Sequence, residues 1–541
     1  MRAIRRKIFT GAKIVTLWDE VPEAEAVCVA EGRIEAVGSL ADVAAYASPG
    51  PCKIVDLGGG VLYPGFIDTH SHLSSYSKCI EQVHCGGERS TPEAACAALR
   101  KKAASTGNPG GTENSWVLGY AYDDTLTPTS GHLTRLALDA VCADRPVFVS
   151  HVSLHFAYAN TAALKELGLM DGKVIPGGEV VLGADGLPTG LLSETAAFYA
   201  FDRLPAPDAA TTAENMVKAV AEYNRCGFTT IIDGGIGFNG DARTMLRAYA
   251  SLARAGRLDA RCYLQMIPPV MEDFLPYGLW SLQSDFLSLG GAKFFADGSI
   301  QGFTAALCEA YHTKPQLLGD LLQPEEEVAE FIARHHAEGI QTAVHVNGDR
   351  ALETALAAFE AAYGQDPRKD LRHMLIHAQM ASDSQLERMQ ACGIIPTFFS
   401  RHIEVWGDRH RDVFLGPERA SRLNPAGTCV RLGMPFGLHV DTPVLPVTAL
   451  GSMHAAVNRK TSSGAVLGSE QRISPRDALL AYTAHAALCC MGEHDRGRIE
   501  PGRYADFVLL GEAIEEASPD CIKNIPVRMT ICGGKTVYDG T

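Results

Sequence analysis

The chain has no uncharged apolar run of about 18 residues, the length a helix needs to cross a bilayer. Its first residues, MRAIRRKIFTGAKIV, are basic but lack the apolar core of a secretory signal, so a cytoplasmic protein is expected. No run of Lys and Arg is long enough to form a basic patch. With 48 Lys and Arg against 63 Asp and Glu, the net charge of −15 repels phosphate backbones and anionic lipid. Aromatic residues make up only 7%, and Trp280, Phe398 and Phe399 lack the interleaved cations that single-stranded nucleic acid requires. Neither nucleic acid nor a membrane is therefore an expected partner. The 15 cysteines include no CxxC pair, which argues against a thiolate metal site. Cys28, Cys142, Cys262 and Cys532 sit in apolar or strand-like runs, and the adjacent Cys489 and Cys490 cannot bridge each other without strain. All are read as small hydrophobes. Internal repeats and low-complexity linkers are missing as well. Gly58-Gly59-Gly60 precedes a strand instead of opening a helix, so it offers phosphate no helix N-terminus.

What remains is a chain of 541 residues, 46% hydrophobic and 21% charged, which is the composition of a soluble globular protein of two or three domains. The first 56 residues read as short strands (KIF, AKIVTL, AVCVA, RIEAVG, KIVDL), and the last 45 repeat the style in ADFVLL, VRMTICGG and KTVYDG. Neither end has enough strands to bury a sheet face, so 1–60 and 497–541 are expected to build one composite β-sandwich domain.

Between them, compact apolar runs alternate with helix-compatible stretches. The runs are GFIDTH (65–70), FTTIID (228–233), RCYLQM (261–266), AKFFAD (292–297), TAVHVN (342–347), HMLIHA (373–378), IIPTFF (394–399) and PFGLHV (435–440). Helical stretches at 211–225, 243–256, 325–338, 350–363 and 382–391 separate them. Apolar strands without polar alternation are buried on both faces, as in a parallel (β/α)₈ TIM barrel, here expected over 61–496. The stretch 74–220 far exceeds the roughly 30 residues of a βαβ unit and reads as an inserted cap over the barrel mouth.

The sharpest chemical signal is Asp68-Thr69-His70-Ser71-His72 at the end of the first run. Residues i and i+2 of a strand share a face, so His70 and His72 project together. His345 ends the fifth run, His377 the sixth and Asp441 the eighth, while Lys293 lies on the fourth. All fall at the strand ends where active sites of this architecture gather. Lys293 could alternatively pair with Asp297 or a substrate carboxylate, and Asp441 could merely cap its loop. His439 shares the face of Asp441 by strand period, without a role that follows from it. In the insertion, His155, Tyr120, Tyr122 and Glu194 are weaker candidates, and Glu194 could instead open a helix. His151, His335, His336, His402 and His485 read as structural or solvent-exposed.

These residues resemble the amidohydrolase superfamily. PGFIDTHSHL, the later lysine, two separate histidines and the eighth-strand aspartate carry the likeness. GAKFFADGSIQGFTAAL with Tyr311 following, HVNGDRA and GRIEPGRYADFVLL narrow it to the YtcJ-like branch, which includes N-substituted formamide deformylases. The resemblance implies a divalent metal cofactor, zinc in type and one or two ions per chain, with His70 and His72 on one ion and His345 and His377 on the other. It implies a carboxylated Lys293 as the bridge, because an ammonium beside two cations is repelled whereas its CO₂ adduct is an anionic oxygen ligand; an unmodified lysine would leave a mononuclear site. Asp441 would touch the metal, take a proton from the activated water and return it to the leaving amine. Tyr120 and His155 would approach the site from the insertion, orienting the carbonyl or lining the pocket. The implied activity is hydrolysis of a carbon–nitrogen bond other than a peptide bond in a small molecule, the likeness leaning toward a homodimer. The same centre could cleave an ester or lactone, or catalyse an isomerisation or decarboxylation, and a scaffold without activity is the alternative from another class.

Overall fold

The computed structural model describes residues 6–48, 50–105, 116–124, 126, 131–154, 156–171, 173–238, 242–274, 283–367 and 370–540. Eight parallel strands stand at its centre: β1 (Phe66–Ser71), β2 (Phe228–Ile236), β3 (Arg261–Met266), β4 (Leu287–Phe295), β5 (Gln341–Val346), β6 (Met374–His377), β7 (Ile395–Phe398) and β8 (Gly437–Leu438). Each pairs with the next in chain order, as a (β/α)₈ barrel requires. Every residue of β1, β2 and β3 is buried, which is why these segments are apolar throughout. β8 is only two residues long, so it meets β1 mainly through single hydrogen bonds. Thr69 Oγ1 donates to the Leu438 carbonyl (2.8 Å), the Asp441 amide to the His70 carbonyl (3.3 Å) and the His72 amide to the Thr442 carbonyl (2.9 Å).

Helices Ala209–Arg225, Ala242–Ala255, Glu325–Ala337, Asp349–Gln365 and Asp383–Cys392 occupy the expected intervals. The last shows how local sequence fixes its limits. Ser382 and Gln385 form a reciprocal capping box at its start, and Gly393, at φ 69°, ends it in the left-handed conformation. The opposite end of the barrel from the strand-end histidines is filled by helix Ala484–Cys489. Its Ala486, Ala487 and Cys489, with Cys490, pack among Ile67, Met374 and Ile395, which lie at strand starts.

Strand limits depart from the sequence reading at β2, which runs on to Ile236, and at β4 and β8. β4 runs over 287–295 and not 292–297, so Asp297 falls in the following loop; Gly290 and Gly291 mask the earlier half, since glycine carries no strand signal. β8 stops at Leu438, which leaves His439, Val440 and Asp441 in irregular backbone.

The chain termini meet in one eight-stranded sheet. Arg6–Val15, Glu23–Ala30, Arg33–Gly38, Cys52–Asp56 and Val61–Pro64 join Phe507–Leu510, Val527–Cys532 and Lys535–Asp539. Phe9, Val27, Leu62, Phe507 and Ile531 share its core, and the Phe9 and Phe507 rings meet edge-on at 5.9 Å. The described strands are linked by hydrogen bonds into one sheet, and residues from both ends of the chain share its core. By compactness the chain divides into Met1–Ser74, Met216–Thr442 and Pro446–Thr541 as one unit, and Ser75–Asn215 with Pro443–Leu445 as the other. The second unit holds its own six-stranded sheet, which includes Val117–Tyr122, Val147–His151 and Pro188–Glu194.

Candidate metal centre

β1 delivers His70 and His72 as neighbours, with ring centroids 4.8 Å apart and nearly perpendicular. Asp441, just past β8, sits between them and the β6 histidine. Its Oδ1 lies 3.3 Å from His72 Nε2 and 3.6 Å from His70 Nε2, and its Oδ2 lies 3.9 Å from His377 Nε2. His345 at the end of β5 brings its ring to 4.6 Å from that of His377. Lys293 on β4 is fully buried, and its Nζ meets no hydrogen-bond partner among the described residues. The strands therefore gather His70, His72, Lys293, His345, His377 and Asp441 at one end of the barrel.

These groups suit a cation better than one another. Burial, then the Lys293 charge, holds the His70 imidazole well below its usual range and brings His345 to about 3. His377 is held down likewise, chiefly by burial. They are neutral bases with lone pairs to offer. His345 Nε2 lies 3.1 Å from the Gly298 carbonyl and 3.0 Å from Asn347 Nδ2, which place the ring at the end of β5. Burial pulls Lys293 down to about 7, so an uncharged amine is accessible near neutrality. Burial alone would raise Asp441, but hydrogen bonding from His72 and the surrounding imidazoles bring it to about 2, an ionised carboxylate. His70 has neither ring nitrogen hydrogen-bonded, although the residue is 1% exposed. Buried polar atoms without partners are costly, and a ligating metal satisfies them. His377 and Asp441 also adopt φ of 69° and 54°, a left-handed backbone that bulky residues enter only under constraint.

A second ring of carboxylates shapes the loops. Asp297 accepts from the amides of Ala306, Asn347 and Gly348 (3.0, 2.9 and 2.8 Å), binding the loop after β4 to the start of helix Asp349–Gln365. That use of both oxygens sets aside a simple Lys293–Asp297 pair. Asp233 on β2 accepts from the Ser74 amide (3.0 Å) and Tyr249 Oη (2.6 Å), fixing the turn after His72. Gly234, beside it, allows His70 its place: a Cβ there would stand 2.3 Å from His70 Cε1. Gly234→Ala is expected to push the imidazole out of register, lowering metal content while the fold persists. Elemental analysis and the far-ultraviolet circular dichroism spectrum check this; full metal content would refute it.

Tyr120 and Tyr122 belong to the second unit, and two further histidines add to the site. Tyr120 is on Val117–Tyr122 of the insertion unit, its ring 5.1 Å from that of His84. Tyr122, in the same strand, is buried and donates to the Gly131 carbonyl (2.5 Å). His155 lies outside the described residues. Glu194 immediately precedes helix Thr195–Phe201, the alternative allowed for it. Two histidines were undervalued. His439 Nε2 approaches His377 Nδ1 at 3.3 Å and, with Asp441, completes a second three-residue group able to hold an ion. His402 is buried, its Nδ1 2.6 Å from Gln379 Nε2 and its ring 6.3 Å from that of His377. The period-2 spacing to Asp441 hinted at His439, whereas nothing in the sequence marked His402.

Known proteins resemble this chain over its whole length. The chain is 28% identical over 544 residues to YtcJ of Bacillus subtilis (strain 168), whose name places it among the amidohydrolases, with 99% of each chain covered. It is 26% identical over 559 residues to the N-substituted formamide deformylase of Arthrobacter pascens, covering 100% of both. The solved structure of an uncharacterized metal-dependent hydrolase from Pyrococcus horikoshii OT3 superposes with a TM-score of 0.77 at 23% identity, over 95% of this chain and 99% of that one. The model of the amidohydrolase family matches residues 53–538, a span that takes in all eight barrel strands and every histidine gathered at their ends. The chain belongs to the amidohydrolase family.

Proposed function

We propose that the protein is a metal-dependent hydrolase that cleaves a carbon–nitrogen bond of a small amide, N-formyl compound or cyclic amide. The observation that carries the reading is Asp441, whose two carboxylate oxygens lie between the β1 histidines and the β6 histidine. Family membership supports hydrolysis, and the full-length likeness to a formamide deformylase supports the class of bond.

The donor set fits a divalent ion, with zinc the proposed metal at one or two ions per chain. His70 and His72 with Asp441 would hold one ion, and His345 and His377 a second. Lys293 would bridge them as a carbamate, for which its buried amine, without a hydrogen bond among the described residues, is suited. A bound metal supplies an electrophile for the substrate carbonyl and lowers the pKa of the attacking water from 15.7 to roughly 7. The remaining steps belong to the chain. Asp441, ionised at neutral pH, takes the water proton on a carboxylate oxygen as the carbonyl carbon is attacked. It then returns that proton to the departing nitrogen, which leaves as an amine and not as an unstable anion.

The test combines elemental analysis of the purified protein with a panel of N-substituted formamides, linear amides and cyclic amides, each beside its matched ester. Zinc in the protein with release of amine from one amide class is the expected result. Metal-free protein of full activity, or turnover confined to esters, would overturn it.

A further inference from the structure

Beside the strand-end histidines stands a pair of aromatic rings that the hydrolytic reading leaves unused. β2 ends at Ile236, and Gly237 and Phe238 follow. Gly237 takes a φ of 97°, and a Cβ on it would stand 2.4 Å from Val270 Cγ2, so the turn admits only glycine. The Phe238 amide closes the turn by donating to the Gly235 carbonyl (2.8 Å). Phe238 thereby meets Phe295, the last residue of β4, although β3 lies between the two strands. The rings stack with centroids 4.6 Å apart and planes at 26°.

The inner ring borders the proposed metal ligands. Phe295 and Lys293 are two residues apart on β4 and share a face, with Lys293 Nζ 4.9 Å from the ring centre. Phe295 also pairs in register with His345 on β5, and their rings stand 5.5 Å apart. Gly235 lies against the same group: a Cβ there would be 3.5 Å from Phe238 Cβ, 3.6 Å from Phe295 Cζ and 3.9 Å from Lys293 Cγ. The outer ring is open, with Phe238 46% exposed. A lone exposed phenylalanine is ordinary on a protein surface. Here the exposed ring is stacked on one that reaches His345 and Lys293, so the aromatic surface is continuous from the candidate metal centre to solvent. Neither ring offers a hydrogen bond. A charged or strongly hydrated group laid against them would lose water without a replacement partner, whereas a planar apolar group gains a stacking contact. Apolar and aromatic walls around a few polar groups are the usual make-up of a small-molecule site.

We propose that Phe238 and Phe295 form a subsite for an aromatic group of the substrate, carried close to the bond that is hydrolysed, and that Phe238 sets the preference for it. The assignment rests on the reading of the strand-end cluster as a metal centre. Hydroxamates, whose amide-like head chelates a metal, test it without turnover. Isothermal titration of the zinc-loaded, full-length protein would compare benzohydroxamate and phenylacetohydroxamate with acetohydroxamate. At least one aryl probe is expected to bind about tenfold tighter than acetohydroxamate, the scale of one good aromatic contact. Phe238→Ala is expected to remove most of that ratio and leave acetohydroxamate affinity unchanged, and Phe238→Leu, which keeps apolar surface without a ring, to fall between. Parental protein that binds acetohydroxamate and the aryl probes equally overturns the aromatic subsite alone. Protein that binds none of the three overturns the metal centre and the subsite together. A Phe238→Ala protein with the parental ratio, or one that loses affinity for all three probes alike, assigns Phe238 no part in substrate choice.

Discussion

Asp441→Asn is expected to lower kcat on any amide the protein turns over by about 10²- to 10⁴-fold, the range that a positioned proton donor and acceptor contributes. Asparagine keeps the volume of the side chain and one oxygen facing His70 and His72, so much of the local packing survives. What it removes is a group that can bind and release a proton. The lost step is expected in kcat more than in KM, because substrate binding draws on the rest of the pocket whereas the proton is needed only as the carbonyl is attacked and the nitrogen departs. Metal content must be measured in the same preparation, since Asp441 is also a proposed ligand. An asparagine variant that retains its metal and the parental kcat would remove Asp441 from the mechanism.

That residue also marks how far the sequence could be read. Asp441 was recognisable because it follows an apolar run at the end of the barrel, yet the periodic argument linking it to His439 does not describe the backbone it occupies. β8 ends at Leu438, and Asp441 turns through a left-handed φ of 54°, held by the hydrogen bond its backbone N–H donates to the His70 carbonyl. The contact between His439 and His377 depends on the spatial closeness of β6 and β8, information that no local pattern holds. The histidines on β1, β5 and β6 were legible for the opposite reason: each closes a run of buried apolar residues, where a polar side chain stands out. Asp233 escaped notice, and Asp297 was read only as a possible partner of Lys293, because their actual partners are backbone amides and hydroxyls along the chain, which leave no spacing to read. Gly234 was silent too, since its importance lies in the ring of His70 that fills the space a side chain would need.

The same division holds for the scaffold. Barrel strands buried on both faces produced clear runs, and β3 begins and ends where the apolar run RCYLQM does. At the amino terminus, KIF and AKIVTL read as two strands but are one, Arg6–Val15. Gly11, at φ 82°, lies where its pairing register with Glu23–Ala30 shifts, and a register shift looks like a turn in sequence. The insertion hid most of its sheet because strands such as Gly178–Leu182 are only partly buried and carry a mixed pattern. How the two termini join each other was inferable only from the shortage of strands at each end. How they are secured to the barrel was not inferable at all, and it leads to the largest effect expected on stability.

Asp506→Asn is expected to destabilise the protein by about 3–5 kcal/mol, the cost of stripping one partner from a buried ion pair. Arg261 opens β3, and Asp506 immediately precedes the terminal-sheet strand Phe507–Leu510. Their side chains are 3% and 4% exposed and meet in a two-point bond, Nε to Oδ2 at 2.7 Å and Nη2 to Oδ1 at 3.0 Å. Burial opposes the guanidinium charge, but Asp506 more than restores it and holds the Arg261 pKa above its ordinary value. Around the pair, Tyr504 and Phe286 stand 3.5 and 4.6 Å from the guanidinium carbon, Nη1 donates to the Asp285 carbonyl (2.5 Å), and Asp506 Oδ1 also accepts from the Gly533 amide (2.8 Å). Asparagine would leave a cation in that enclosure with no counter-charge and fewer acceptors. The urea midpoint, with the slope checked for constancy, measures the loss. The double variant Arg261→Met, Asp506→Leu is expected to recover part of it, because an apolar pair of similar volume often replaces a buried ion pair at little cost. An Asp506→Asn midpoint equal to that of the parent would mean that the pair is not what fastens the terminal sheet to the barrel.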